Sequence, residues 1–164
     1  MSLPALTAFV FCVLLLALAL RRAEDGFLPI VDHANLAFHE AGHPLFGLLG
    51  EWAGLYGGTL AQLLMPLLVA AAFALRRDAL GTAAAGVWVC ENLFNIAVYV
   101  ADAREQSLPL VGGGEHDWAL ILGGWGLLAW DQRLAGLLRF AGAVGLVGCC
   151  AWLAWRAWFD SATR

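Results

Sequence analysis

Residues 39–43 read His39-Glu40-Ala41-Gly42-His43. Two imidazoles four positions apart share one face of a helix, so both can ligate a single metal ion. Zinc suits two imidazoles with one further N or O donor and an open position for water. Glu40 then stands beside that water as general base, and the metal draws the water's pKa towards 7. Apolar neighbours in "NLAFHEAGHPLFG" (35–47) exclude bulk water and strengthen the pull of the metal on a substrate carbonyl.

Three residues compete for the third ligand. Glu91 lies in the middle of an apolar stretch and shares a helical face with Asn95 and Asp102, giving that helix a polar stripe. Asp102 ends the same stretch. His116 sits in "GGGEHDW", where glycines give a flexible approach and imidazole is a favoured zinc donor. Structural roles exist for each: Glu91 paired with a buried Arg or kept protonated, Asp102 capping a helix or pairing with Arg104, His116 and Asp117 starting a short helix. His116 ranks slightly ahead of Asp102, and Asp102 level with Glu91. Asp32 and Asn35 fall near the His39/His43 face and can accept the free N–H of a ligand histidine. His33 points away from that face, as a surface residue does. Tyr56, Thr59 and Gln62 are read as bridges between helices rather than substrate contacts.

The chain around this motif is 62% hydrophobic and 13% charged, with a mean hydropathy of +0.76. That composition belongs to a bilayer protein. A charged group at mid-bilayer costs roughly 2.5–3.5 kcal/mol on insertion scales, so ionisable residues kept inside a span point to function. A helix crossing hydrocarbon needs about 20 apolar residues. Leu3–Leu20 meets this and stops at Arg21-Arg22; it lacks a basic n-region and an A-x-A site, and reads as a retained span rather than a signal peptide. A second helix runs from about Leu28 or Asp32 to Gly50 and carries the motif. Leu55–Leu75 and Leu80–Ala101 follow, then Trp118–Trp130, too short to cross and suited to a re-entrant or interfacial helix. Leu134–Phe159 is the last span, with Trp152, Trp155 and Trp158 as an interfacial belt.

Residues 1–164 thus form a single integral membrane domain: an all-α polytopic bundle of about five to six helices. Both Arg-Arg pairs fall on one side if the first four helices alternate, and the positive-inside rule makes that side cytoplasmic, as in a bacterial inner membrane. Every basic residue is arginine, the net charge is -4, and the arginines sit at segment ends, leaving no patch for nucleic acid. The expected partners are the lipid bilayer and a membrane peptide substrate. Cys12, Cys90, Cys149 and Cys150 lack CxxC spacing and read as small buried hydrophobes. Small residues in "GEWAGLYGG" and "GAVGLVG" let helices approach closely.

The motif resembles that of the zincins, zinc metallopeptidases with an HExxH helix, and its membrane setting resembles the site-two-protease class of intramembrane metalloproteases. The resemblance implies a helical membrane core, a Zn2+ ion held by His39 and His43, and Glu40 as base. Site-two proteases take their third ligand from an Asn…LDG motif on a later span. This chain has "ENLFNIAVYVADAR" there, with Asn95 preceding Asp102 and no LDG. The reaction expected is hydrolysis of a peptide or related amide bond. The rival expectation is a non-catalytic membrane protein with a structural or metal-handling site.

Overall fold

The computed structural model describes residues 4, 7–14, 16, 18, 28–111 and 114–162, and among them every regular element is helical. The expected span Leu3–Leu20 therefore lies partly outside the described residues, as does the Arg21-Arg22 pair. Its described part includes a helical stretch at 7–14, α1. Then come α2 (Pro29–Gly47), α3 (Glu51–Leu75), α4 (Ala79–Ala101), α5 (Asp117–Gly124), a 3-10 turn (Leu128–Trp130) and α6 (Asp131–Ala162).

Local chemistry accounts for the boundaries. Pro29 opens α2 at its first turn, where a missing N–H costs nothing. Asp32 reaches back from that turn to accept the Leu28 N–H at 2.6 Å, an acid at the positive end of the helix. The turn into α3 passes through Gly50, whose φ of 122° suits glycine. Asp78 caps α4 by accepting the Gly81 N–H at 2.9 Å. The stretch read as one short helix over Trp118–Trp130 is instead α5 followed by a break at Gly126, with φ 68°, and the 3-10 turn. The last helix begins at Asp131 rather than Leu134. Asp131 is buried and accepts the Arg104 Nε–H at 2.6 Å, tying the turn after α4 to the head of α6.

Helices α2, α3, α4 and α6 pack in chain order, each on the next. Among the described residues three helical segments are long and apolar enough to cross a bilayer: Glu51–Leu75, Ala79–Ala101 and Leu128–Phe159. The first and last bury only 22% and 17% of their apolar windows, against 50% for Ala79–Ala101. Leu64, Leu67, Leu68, Leu137, Phe140 and Val144 therefore face outwards, an arrangement that hydrocarbon tolerates and water does not. The protein is an all-α membrane bundle with α4 at its centre. Helix α2 is not among the three segments; Asp32, His33, His39, Glu40 and His43 lower its apolarity.

Glycines set the closest crossings. A Cβ on Gly42 would collide with the Gly57 carbonyl, and one on Gly57 would come 2.5 Å from the Gly42 carbonyl oxygen, so α2 and α3 touch backbone to backbone. This is the close approach expected from "GEWAGLYGG". On the far side, Cys90 lies over Gly145 and Cys149 over Gly86, an antiparallel reciprocity that brings α4 and α6 together. Cys12 packs with Ala8, Ala83 and Leu153, joining α1 to α4 and α6. All four cysteines are free and sit in this packing role.

Candidate metal centre

His39 is the eleventh residue of α2 and is almost fully buried between α3, α4 and α5. One helical turn on, His43 points the same way, with the two rings 4.9 Å apart edge to face. The Nε2 atoms lie 2.9 Å and 3.2 Å from the same oxygen, Oδ2 of Asp117. One ligand atom from each of the three residues falls within 4.8 Å of the others. Around a tetrahedral zinc with bonds of about 2.0–2.1 Å, neighbouring donor atoms stand about 3.3 Å apart, close to these spacings.

Each ring turns its other nitrogen to an oxygen. His43 Nδ1 lies 2.9 Å from the Gly54 carbonyl oxygen, and His39 Nδ1 lies 3.3 Å from Gln62 Oε1. The Gly54 carbonyl requires the hydrogen on Nδ1 of His43, and the Gln62 carbonyl allows it on Nδ1 of His39. In the other tautomer of His39, Nε2 donates to Asp117 at 2.9 Å; in this one both Nε2 atoms are acceptors aimed at a carboxylate. Three lone-pair-bearing atoms in contact repel unless a cation stands among them. The donor set therefore fits a divalent ion by its own chemistry. Gly58 adds a second observation: a Cβ there would lie 2.6 Å from His39 Nε2 and 2.7 Å from His43 Nε2. Glycine keeps α3 close to the paired nitrogens without filling the space beside them.

The three candidate third ligands are distributed differently from the sequence-based expectation. His116, the first choice, belongs to another pairing. It is the N-cap of α5, its Nδ1 accepts the Ala119 N–H at 3.2 Å, and its Nε2 lies 3.4 Å from Asp102 Oδ2. Its ring lies tilted by 35° against Tyr99, with centroids 4.1 Å apart, and Tyr99 also meets the His39 ring edge to face at 5.7 Å. Asp102 closes the turn after α4, accepting from Ser107 N–H at 2.9 Å, Ser107 Oγ–H at 2.7 Å and Leu108 N–H at 3.1 Å. Burial pushes the Asp102 pKa up, but those three donors outweigh it and hold the carboxyl below its ordinary range. Glu91 is buried and accepts from Asn35 Nδ2 at 2.7 Å. None of the three joins His39 and His43.

The residue that does is Asp117, the neighbour of His116. Sequence reasoning treated it as an acid at a helix start. Its backbone N–H donates to the Tyr99 hydroxyl at 3.2 Å, which steadies the head of α5 over α4. Gln62, read as a bridge between helices, does bridge, donating to Asn95 Oδ1 at 2.7 Å, and also faces His39. Asp32 and Asn35 do not reach the histidines directly; Asn95 Nδ2 donates to Asp32 Oδ1 at 2.9 Å, one step further away. His33 is exposed, as expected.

Two cavities meet at the centre. One, of about 300 Å³, is lined by His39, Glu40, His43, Tyr99, Asp117 and Leu120 among others. The second, of about 370 Å³, is lined by the polar Asp32, Gln62 and Asn95 together with the apolar Leu36, Ile96 and Leu108. Glu40 and Tyr99 line both. A cation site beside two clefts, with a carboxylate at their shared wall, is an arrangement that can activate water next to a bound chain. The chain matches no family model, no curated protein and no solved structure.

Proposed function

We propose that this protein is a zinc-dependent hydrolase embedded in the bacterial inner membrane, an intramembrane metallopeptidase. The observation that carries the reading is the convergence of His39 Nε2, His43 Nε2 and Asp117 Oδ2 on one point, with both Nδ1 atoms turned to acceptors. A proton would relieve one of these contacts; a divalent ion relieves all three. His39, His43 and Asp117 are the residues that would hold it. When bound, such an ion supplies Lewis acidity to a carbonyl and to a water molecule.

The rest of the chemistry falls to side chains around the two cavities. Glu40 takes a proton from the attacking water and returns it to the departing amine, so that water adds across the C–N bond. Tyr99 accepts from the Asp117 N–H and keeps its own hydroxyl hydrogen to donate to a substrate oxygen. The apolar lining that Leu36, Ile96 and Leu108 contribute suits a hydrophobic peptide side chain. The partners are thus the bilayer and a membrane peptide. The resemblance of residues 39–43 to the zincin motif agrees with this assignment of roles.

The test compares purified wild type with Glu40→Gln in detergent micelles, measuring bound zinc and cleavage of a quenched fluorescent library of apolar peptides. Equal zinc with cleavage lost in the variant is expected. Equal zinc with equal cleavage would remove Glu40 from its role. Absence of zinc from the wild type, or absence of cleavage by a zinc-loaded wild type, would overturn the metal centre or the hydrolase respectively.

A further inference from the structure

At His43 the main chain itself selects the tautomer. The Gly54 carbonyl can only accept, so Nδ1 carries the hydrogen and Nε2 is bare. His39 has no such guarantee, because its Nδ1 faces a primary amide, and an amide can present either end. The choice is made further along the line. Gln62 Oε1 faces His39 Nδ1 at 3.3 Å, Gln62 Nε2 donates to Asn95 Oδ1 at 2.7 Å, and Asn95 Nδ2 donates to Asp32 Oδ1 at 2.9 Å.

Only the last member fixes a direction. Asp32 offers oxygen on both sides, so Asn95 turns its NH2 to Asp32 Oδ1. Its carbonyl then faces Gln62, which must answer with its own NH2, and the Gln62 carbonyl is left for His39. The same carboxylate is set from its other side: Asp32 Oδ2 accepts the Leu28 N–H at 2.6 Å. Trp88 Nε1, a donor only, fixes Asn35 by donating to its Oδ1 at 2.8 Å, so the Asn35 NH2 points to Glu91 and Asp32. Asp32, Asn35 and the amides thus form a polar frame with one consistent direction across α2, α3 and α4.

We infer that Asp32, acting through Asn95 and Gln62, is a positioning residue that places the hydrogen of His39 on Nδ1 and so frees Nε2 for the metal. The inference rests on the metal-centre reading for its purpose, but not for its observable. Replacing Asp32 by asparagine should invert the line rather than merely loosen it. The Leu28 N–H still demands an oxygen, so the amide nitrogen of the substituted side chain takes the place facing Asn95, at the loss of the long 3.4 Å contact from Asn35, whose NH2 keeps Glu91 at 2.7 Å. Each amide then turns over, Gln62 presents NH2 to His39 Nδ1, and the ring hydrogen moves to Nε2, aimed at Asp117. Adding Gln62→Glu moves the fixed acceptor next to His39 and restores the original tautomer.

The experiment records 15N spectra of selectively labelled histidine in the metal-free full chain in micelles, together with Zn2+ affinity. The wild type should show His39 with hydrogen on Nδ1. Asp32→Asn should show it on Nε2 and bind Zn2+ about tenfold to a hundredfold more weakly, the range for outer partners of a ligand. Asp32→Asn combined with Gln62→Glu should recover both. A wild-type His39 with hydrogen on Nε2 overturns the inference, and this holds even if Asp32→Asn fails to fold. So does a folded Asp32→Asn chain that keeps the Nδ1 hydrogen, or a double variant no better than the single one. If the wild type shows the expected tautomer yet binds no Zn2+, the relay stands and the metal centre falls.

Discussion

Imidazole meets carboxylate twice in this protein, and the two meetings have opposite chemistry. His116 and Asp102 lie 3.4 Å apart; His39 and His43 lie 2.9 and 3.2 Å from Asp117. At His116, Nδ1 is spent as an acceptor for the Ala119 N–H, so the ring hydrogen sits on Nε2 and faces Asp102. The Nε2 atom makes no hydrogen bond there, and Asp102 needs no cation because Ser107 and Leu108 already donate to it. At His43 the Gly54 carbonyl keeps the hydrogen on Nδ1, and with the Nδ1 tautomer inferred for His39 what faces Asp117 is lone pair against lone pair. The partner of the far nitrogen, not the proximity of a carboxylate, decides whether a histidine closes a turn or waits for a cation.

Breaking each pair in turn should separate the two. Structural zinc sites are worth about 10–16 kcal/mol, or roughly 3 kcal/mol per ligand, which is more than about a hundredfold in affinity. Asp117→Asn should therefore lower Zn2+ affinity by about a hundredfold or more in a competition titration, whereas Asp102→Asn should leave it within about twofold. Equal losses in the two variants would show that the comparison is misdrawn.

A smaller effect is expected from Gly58→Ala. The added carbon would stand 2.6–2.7 Å from both Nε2 atoms, so the rings must move. Overpacking of this kind costs about 1–3 kcal/mol, roughly fivefold to a hundredfold in Zn2+ affinity, with helix content by circular dichroism unchanged. His116→Ala removes the cap of α5 and should cost about 1 kcal/mol of stability in thermal or denaturant unfolding. His116→Asn should recover most of that, and both should still bind zinc.

The smallest effect is on the closed pair alone and depends on pH. Asp102 is held below the ordinary carboxylate range by Ser107 and Leu108, against the opposing effect of burial. A depressed folded-state pKa contributes stability that is fully present above the unfolded value, near 3.9, and is lost as pH falls through the folded one. The Ser107 and Leu108 amides should stay protected from hydrogen exchange down to about pH 4 and open only in stronger acid. Opening well above that range would mean that the three donors do not hold the carboxyl.

The sequence made the histidine pair legible because a spacing of four on a helix is geometric, and it made α3, α4 and α6 legible because apolar length is compositional. It was least informative where one residue of register matters. His116 and Asp117 are adjacent, and either type is at home at a helix start. The chain uses the histidine as the cap and turns the aspartate to the paired imidazoles, the reverse of the sequence-based ranking. Which of two neighbours faces inwards depends on how α5 lands on α4, and the Asp117 N–H to Tyr99 contact that sets it spans 18 residues. Gly58 left a trace in the Gly57-Gly58 pair, read as helix packing. Asp32, Asn95 and Gln62 were each legible as polar residues in apolar helices but not as a line, because they come from three helices and only packing brings them into hydrogen-bonding order.

Zinc-edge X-ray absorption on the purified, metal-loaded chain tests the central claim most directly. Two imidazole nitrogens and carboxylate oxygen are expected at about 2.0–2.1 Å, with no sulfur and a remaining position open to exchange with small anions. A sulfur shell at about 2.3 Å, a single imidazole, or four fixed protein ligands with no exchangeable position would contradict it.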